Sequence, residues 1–247
     1  MMQSRHIKTK IIDNKEIVKG IFKMTLAGDL QGKPGQFYML RAWDMEPFLS
    51  RPISIHNLDK EKIEFLYEVR GKGTELFSQL KRADYINLTG PLGNGFNIDN
   101  IQGKVAIVTG GIGIAPMYYT AKQLRNCKVD FYAGFREQVY LIDEIKSIVN
   151  EIYISTDTGK FGHKGYITDI FDSRKYDIIL SCGPSIMMEK VIKSSLANNK
   201  RIYISQENHM ACGIGACLGC TCKTNKGMKT VCKDGPIFNG EDVILHA

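Results

Sequence analysis

Nowhere in its 247 residues does the chain hold a long apolar run. The longest uncharged stretch, residues 105–121, is 17 residues and is broken by a Gly-Gly pair, a third glycine and Pro116. It reads as strand, turn and helix start, which excludes a membrane span there. Residues 1–12 set Arg5, Lys8 and Lys10 among single apolar residues and offer no apolar core of signal-peptide length. There is no block of like charge, no single-residue tract and no internal repeat, so acidic tails, basic arms, low-complexity linkers and solenoids are excluded. A soluble, cytoplasmic protein that touches no membrane is expected.

A basic stripe interleaved with aromatics is also missing. The formal charge is +7, yet 26 acidic residues are scattered among 33 basic ones, so a solvated basic surface is expected and no nucleic-acid partner. The seven cysteines are unevenly spread: Cys127 and Cys182 stand alone, and Cys212, Cys217, Cys220, Cys222 and Cys232 crowd near the C-terminus. A dense local cluster in an unsecreted chain points to a metal or iron-sulfur centre rather than a disulfide framework.

The length fits two domains plus a small appendage. From residue 7 to about 97 the pattern is mostly β. Residues 62–69 alternate, with Ile63, Phe65, Tyr67 and Val69 on one face and Glu64, Leu66 and Glu68 on the other. Glycines punctuate the short runs at spacings of a small antiparallel barrel, and residues 74–81 read as its one short helix. From Gly103 the texture changes. Strands at 104–109, 129–135, 151–156 and 176–182 alternate with helices, one running through Leu124 and one near 142–149, as in a doubly wound parallel sheet. After a strand at 201–205 the remaining chain is too small to hold a core without a metal staple. The expected division is a barrel over 1–100, an α/β domain over 101–205 and a metal-stapled tail over 206–247.

The strongest motif is MACGIGACLGCTC followed by Val231-Cys232. Its spacing, C-x4-C-x2-C-x11-C through Cys212, Cys217, Cys220 and Cys232, begins like a plant-type [2Fe-2S] loop. Gly213, Gly215 and Gly219 let the backbone wrap closely and aim N–H groups at cluster sulfurs. Structural zinc is the alternative for four cysteines, but zinc sites present paired C-x2-C knuckles and the second pair is absent. Cys222 is read as a packed residue on an outgoing strand.

Four further motifs suit a dinucleotide. Arg51-Pro52-Ile53-Ser54-Ile55 offers a guanidinium that can fork onto phosphate, and Leu66-Tyr67-Glu68 leads into Gly71-Lys72-Gly73-Thr74, whose turn offers N–H groups and a hydroxyl. Either could equally be an ordinary arginine or a hairpin. VTGGIGIAP at 108–116 ends a strand in Gly110, Gly111 and Gly113 and exposes a helix N-terminus, with Pro116 read as the first helical residue. Proline stands where the third glycine of G-x-G-x-x-G belongs, so the plain Rossmann fingerprint is unmet. Ser181-Cys182-Gly183-Pro184 brings a thiol and a tight turn to the carboxyl edge of the sheet.

In that order, RPIS, GxGT, GPLGNG at 90–95, GGIGIAP and CGP resemble the ferredoxin-NADP reductase superfamily. The cysteine-rich tail narrows the resemblance to the electron-transfer subunits of NAD-dependent, class 1B dihydroorotate dehydrogenases. The resemblance implies FAD in the barrel, with Arg51 on its pyrophosphate, Ser54 at the isoalloxazine edge and Pro52 and Ile53 shaping the strand. Leu66, Tyr67 and Glu68 would line the flavin nucleotide, and Gly73 and Thr74 would cap its phosphates. Gly110, Gly111 and Gly113 would admit NAD, and Cys182 would sit by the nicotinamide, making Ser54 and Cys182 the catalytic candidates. Cys212, Cys217, Cys220 and Cys232 would bind a [2Fe-2S] cluster.

The implied role is a relay in pyrimidine (UMP) biosynthesis. Electrons would pass from the FMN of a separate catalytic subunit through the cluster and FAD to NAD, in a heterotetramer of two copies of each chain. Two departures remain. Ile112 replaces a threonine common in the glycine turn, and Phe135-Arg136-Glu137 offers both a base for a 2′-phosphate and an acid for a free ribose, leaving NAD against NADP to the resemblance. The competing readings are an NAD(P)H-dependent reductase subunit for ferredoxin or sulfur compounds, and a zinc-stapled binding protein.

Overall fold

Strand alternation and glycine punctuation build the first half of the chain. The computed structural model describes residues 5–244; the outermost ends of the first and third expected segments, residues 1–4 and 245–247, lie outside the described residues. Six antiparallel strands, β1 (Arg5–Val18), β2 (Ile21–Ala27), β3 (Phe37–Arg41), β4 (Arg51–Leu58), β5 (Lys62–Glu68) and β6 (Tyr85–Leu92), close into a barrel in the order β1-β2-β5-β4-β3-β6. Helix α1 (Lys72–Gln79) lies between β5 and β6 and begins two residues earlier than the pattern suggested. Inward residues such as Ile55, Ile63, Phe65 and Tyr67 make the barrel core with Phe77 of α1. Leu66 departs from the simple alternation. It points outward yet is buried, because the second domain covers that face of the barrel.

The second half is a sheet of order β10-β9-β8-β7-β11-β12-β15. Its strands are β7 (Lys104–Gly110), β8 (Lys128–Phe135), β9 (Glu151–Thr156), β10 (His163–Lys164), β11 (Ile178–Cys182), β12 (Arg201–Ser205) and β15 (Ile237–Asn239). All neighbours pair in parallel except β15, which runs antiparallel to β12. Helix α2 (Ile114–Gln123) follows β7, α3 (Ile142–Lys146) follows β8 and α4 (Ser185–Ala197) follows β11. The helix expected near 142–149 is thus one short turn. Pro116 is the third residue of α2 rather than its first, a position that still needs no intrahelical N–H partner. From β7 the chain builds outward through β8, β9 and β10, then returns to the other side of β7 as β11. That reversal opens a crevice at the carboxyl ends of β7 and β11.

The tail does not stand alone. Its hairpin, β13 (Thr221–Thr224) with β14 (Gly227–Thr230), packs near the barrel, where Phe37, Met39 and Leu92 form one apolar cluster with Cys220, Cys222, Val231 and Cys232. Its last strand, β15, completes the sheet edge. Among the described residues, no helix is long and apolar enough to cross a membrane.

Candidate functional site

A cleft with a cavity volume of about 210 Å³, open to solvent, lies where the barrel, the sheet and the tail meet. Strand β4 brings Pro52, Ile53 and Ser54 to it, and β5 brings Leu66, Tyr67 and Glu68. All six were singled out in the sequence, from two motifs 14 residues apart, and antiparallel pairing of β4 with β5 makes them neighbours. The far wall comes from Ile112, Ala115 and Pro116 of the glycine turn and α2, and the floor from Ser205, Gln206, Glu207, Asn208 and Met210. Apolar walls with a few polar groups at the edges suit a flat aromatic ring.

Arg51 and Gly73 stand beside this cleft rather than in its lining. A Cβ on Gly73 would lie 2.5 Å from Arg51 Nε and 2.9 Å from the Trp43 ring, so only glycine lets the guanidinium seat there. Arg51 Nη1 donates to the Leu49 carbonyl, and the guanidinium lies 5.5 Å from the Trp43 ring centroid. Burial lowers its pKa, with the nearby charge of Arg41 adding to the effect. An anion at this point would relieve both penalties. Thr74 differs from expectation. Its hydroxyl donates to Gly71 O at 3.0 Å and accepts from Arg70 N at 3.0 Å, so it ties the start of α1 together instead of facing outward.

The two turns at the sheet's carboxyl edge pack back to back. A Cβ on Gly113 would come 2.3 Å from Cys182 O, and one on Gly110 would come 2.7 Å from Pro184 Cδ. Gly111 has φ +55° with nothing near its missing side chain, so its role is conformational. Cys182 itself has no exposed surface and lies under the turn, not on the cleft wall. Burial holds its thiol well above the usual range, and the charge of Glu207 adds to this. Glu207 is exposed to solvent at the cleft floor, with protein packed around its backbone side. Desolvation by the surrounding protein raises its carboxyl, and Arg70 opposes the shift.

In the tail, Cys212, Cys217, Cys220 and Cys232 sit on one loop and its return segment. Backbone N–H groups aim at every one of their sulfurs: Gly215 N at Cys232 Sγ (3.1 Å), Cys217 N at Cys212 Sγ (3.4 Å), Gly219 N at Cys217 Sγ (3.4 Å) and Cys232 N at Cys220 Sγ (3.4 Å). Burial works to raise the Cys212 thiol, and N–H groups of Cys217 and Ile214 outweigh it, bringing it down to about 6. Burial, reinforced by the Cys220 side chain, pushes Cys232 up to about 12. The loop therefore has two characters. Cys220 and Cys232 are 1% and 2% exposed and face inward, while Cys217 is exposed. Such N–H donors fit the negative charge of thiolates around an iron-sulfur cluster. Among the described residues no three His, Cys, Asp or Glu side chains converge on a single ion.

Sequence reasoning missed residues 206–209 and Arg70, and gave Met210 no part in the cleft although it opens the cysteine motif. The missed residues carry no motif or period; the available signal was the position of 206–210 just beyond the strand at 201–205, at the carboxyl edge where open α/β sheets bind ligands.

Residues 207–244 match the model of the iron-sulfur cluster binding domain of dihydroorotate dehydrogenase B. The dihydroorotate dehydrogenase B (NAD(+)), electron transfer subunit of Clostridium acetobutylicum is 55% identical over 245 residues, 99% of this chain and 100% of that protein. Its counterpart in Clostridium perfringens is 46% identical over 246 residues, 98% of this chain and 99% of that one. Among solved structures, the NADH-dependent reduced ferredoxin-NADP oxidoreductase studied for flavin-based electron bifurcation superposes with a TM-score of 0.87 at 29% identity, over 96% of this chain and 90% of that one. A ferredoxin NADP+ reductase from Neisseria gonorrhoeae with bound FAD and NADP shares the fold, with a TM-score of 0.68 at 15% identity over 84% of this chain and 96% of that one.

Proposed function

The chain belongs to the electron transfer subunits of NAD(+)-dependent dihydroorotate dehydrogenase B, and on that premise we propose which of its residues carry the electrons and from where. The observation that carries the reading is the meeting of an apolar cleft and a sulfur loop wrapped in N–H donors within one chain. When bound, an iron-sulfur cluster passes electrons singly and a flavin gathers them into a pair that NAD takes as hydride.

The chain's own residues supply position and field. Cys212, Cys217, Cys220 and Cys232 hold the cluster as thiolates. Pro52, Ile53, Leu66 and Tyr67 exclude water from the flavin ring, Glu68 lines its nucleotide and the Ser54 hydroxyl meets the ring's edge. Arg51, backed by Gly73 and by the turn that Thr74 ties, meets the FAD pyrophosphate. Gly110, Gly111 and Gly113 admit NAD at the helix N-terminus, with Cys182 packed beneath that turn. The division into 1–100 for FAD, 101–205 for NAD and 206–247 for the cluster follows these assignments. The electrons originate at the FMN of a catalytic subunit, two copies of each chain forming a heterotetramer in the cytoplasm. The relatives' names favour this partner over ferredoxin or a sulfur compound, and the iron-sulfur domain match favours a cluster over zinc.

Flavin and iron analysis of the purified chain tests the reading, with Arg51→Ala and Arg136→Ala alongside. The unaltered chain is expected to hold FAD, with iron and acid-labile sulfide in equal amounts. Arg51→Ala removes a charge-assisted phosphate contact, a loss on the order of 1.5–3 kcal/mol, and is expected to weaken FAD about tenfold or more. Arg136, exposed at the end of β8, is expected to leave FAD in place. Full flavin occupancy in the Arg51 variant would move the FAD site elsewhere.

A further inference from the structure

The six residues 206–211 are the direct covalent link between the cleft floor and Cys212, the first sulfur of the loop. Gln206 is anchored at the cleft end, its N–H donating to Pro236 O at 2.9 Å. Midway along, the link is braced by one side chain. Asn208 Nδ2 donates to the carbonyl of Cys220 at 3.3 Å and to that of Thr221 at 3.2 Å, crossing from the link to the far side of the sulfur loop.

Asn208 also has surface in the cleft and in the recess beside it, walled by Glu207, His209 and Gly219. The carbonyl it grips belongs to Cys220, a sulfur residue of the inner, buried pair. Phe37, a cleft residue, packs in the same apolar cluster as Cys220. The inner face of the sulfur loop is thus clamped by this apolar contact and by two amides, Asn208 on the Cys220 side and Asn94 on the Cys232 side, where Asn94 Nδ2 donates to the carbonyls of Lys233 at 2.9 Å and Asp234 at 3.0 Å.

We infer that Asn208 is a positioning residue for the electron step between cluster and flavin. This rests on the cofactor assignment above. Electron tunnelling weakens exponentially with distance, and faster across an unbridged gap than along bonds and hydrogen bonds. The Asn208 amide fixes the Cys220 side of the loop against the cleft and bridges the gap between the cleft floor and the backbone of Cys220. One electron crosses per event, and no bond forms or breaks in the crossing. Loosening such a brace displaces the loop on the scale that costs positioned reactions an order of magnitude or more.

The test uses the intact holoprotein and the variants Asn208→Ala and Asn208→Asp. The aspartate keeps the shape and puts an acceptor where the donor stood. Asn225→Ala is the control, because Asn225 Nδ2 makes a comparable bond to Glu241 O at 2.9 Å on the tail's outer hairpin. Iron content and the paramagnetic resonance of the reduced cluster establish that the cluster is present. Rapid mixing with NADH then reads flavin reduction and cluster reduction as separate absorbance phases. NADH gives a hydride to the flavin, and the reduced flavin gives one electron to the cluster. The cluster phase is expected to slow about tenfold or more in both Asn208 variants, with iron retained, and to stay unchanged in Asn225→Ala. Faster amide exchange is expected at residues 218–221 in the same two variants. A wild-type cluster phase in Asn208→Asp overturns the inference. Loss of iron from both Asn208 variants also overturns it, by making Asn208 a folding element of the loop. An unaltered chain without flavin or cluster refutes the cofactor assignment instead.

Discussion

Cys217→Ser is expected to remove the iron and acid-labile sulfide from the chain, and Cys222→Ser to leave them in place. The two cysteines are five residues apart in the same tail, yet their surroundings differ in kind. Cys217 is exposed and its sulfur receives the Gly219 N–H at 3.4 Å, the environment of a thiolate that will meet metal. Cys222 is on β13, buried in the apolar cluster with Phe37, Met39 and Leu92, and burial raises its thiol. Losing one of four thiolates leaves iron undercoordinated and, in a tail with little core of its own, exposes the fold to the loss. Replacing the buried thiol by hydroxyl costs about 1–3 kcal/mol of packing and desolvation and touches no ligand. Iron and sulfide analysis decides it, and equal loss in both variants would mean that the ligand set is wrong.

The second large effect is expected at Gly113. Here the obstacle to a side chain is space, not dihedral angle. Its residue has helical φ, and an added Cβ would meet Cys182 O at 2.3 Å, Cys182 C at 2.6 Å and Gly183 Cα at 2.8 Å. All three are backbone atoms of the neighbouring turn, which cannot swing aside as a flexible side chain can. Gly113→Ala is expected to cost about 1–3 kcal/mol in overpacking and to push the glycine turn off its seat. NADH-driven reduction of an artificial acceptor should fall about a hundredfold, the scale of a misplaced binding element, with FAD retained in the barrel. Gly20→Ala is the control: φ is +79° with open space around it, so it carries only the left-handed strain, about 1–2 kcal/mol, and meets no backbone atom. Unaltered NADH turnover in Gly113→Ala would show that the turn is not the NAD site.

The barrel and the parallel sheet were legible because their signals are local. Alternation through Ile63, Phe65 and Tyr67 and the strand-turn-helix rhythm after Gly103 reflect faces that each element must bury wherever it lies. What was not legible depends on how elements meet. Leu66 looked like an outward residue because nothing in its neighbourhood announces that the α/β domain covers that side of β5. The three-residue strand β15 (Ile237–Asn239) is too short for any period, and its place at the sheet edge is set by pairing with β12, which no local pattern announces.

The same division holds at the site. The motif residues of β4 and β5 and the four spaced cysteines stood out because tight turns and sulfur ligands demand particular residue types at particular spacings. Gln206, Glu207 and Asn208 carry no such demand, and they matter only because the chain end of β12 lands on the cleft floor. The Thr74 hydroxyl shows the reverse case. A G-x-G-T turn reads as an anion site, but the structure gives the hydroxyl to its own helix start.

In the proposed relay this chain passes electrons to NAD without oxidising the substrate itself. The direct test follows NADH formation from dihydroorotate and NAD with the purified chain alone, with the catalytic subunit alone, and with both mixed. NADH formation is expected only in the mixture, while the chain alone still reduces artificial acceptors with NADH. Turnover of dihydroorotate by the chain alone, or no NADH formation on mixing, would contradict the relay.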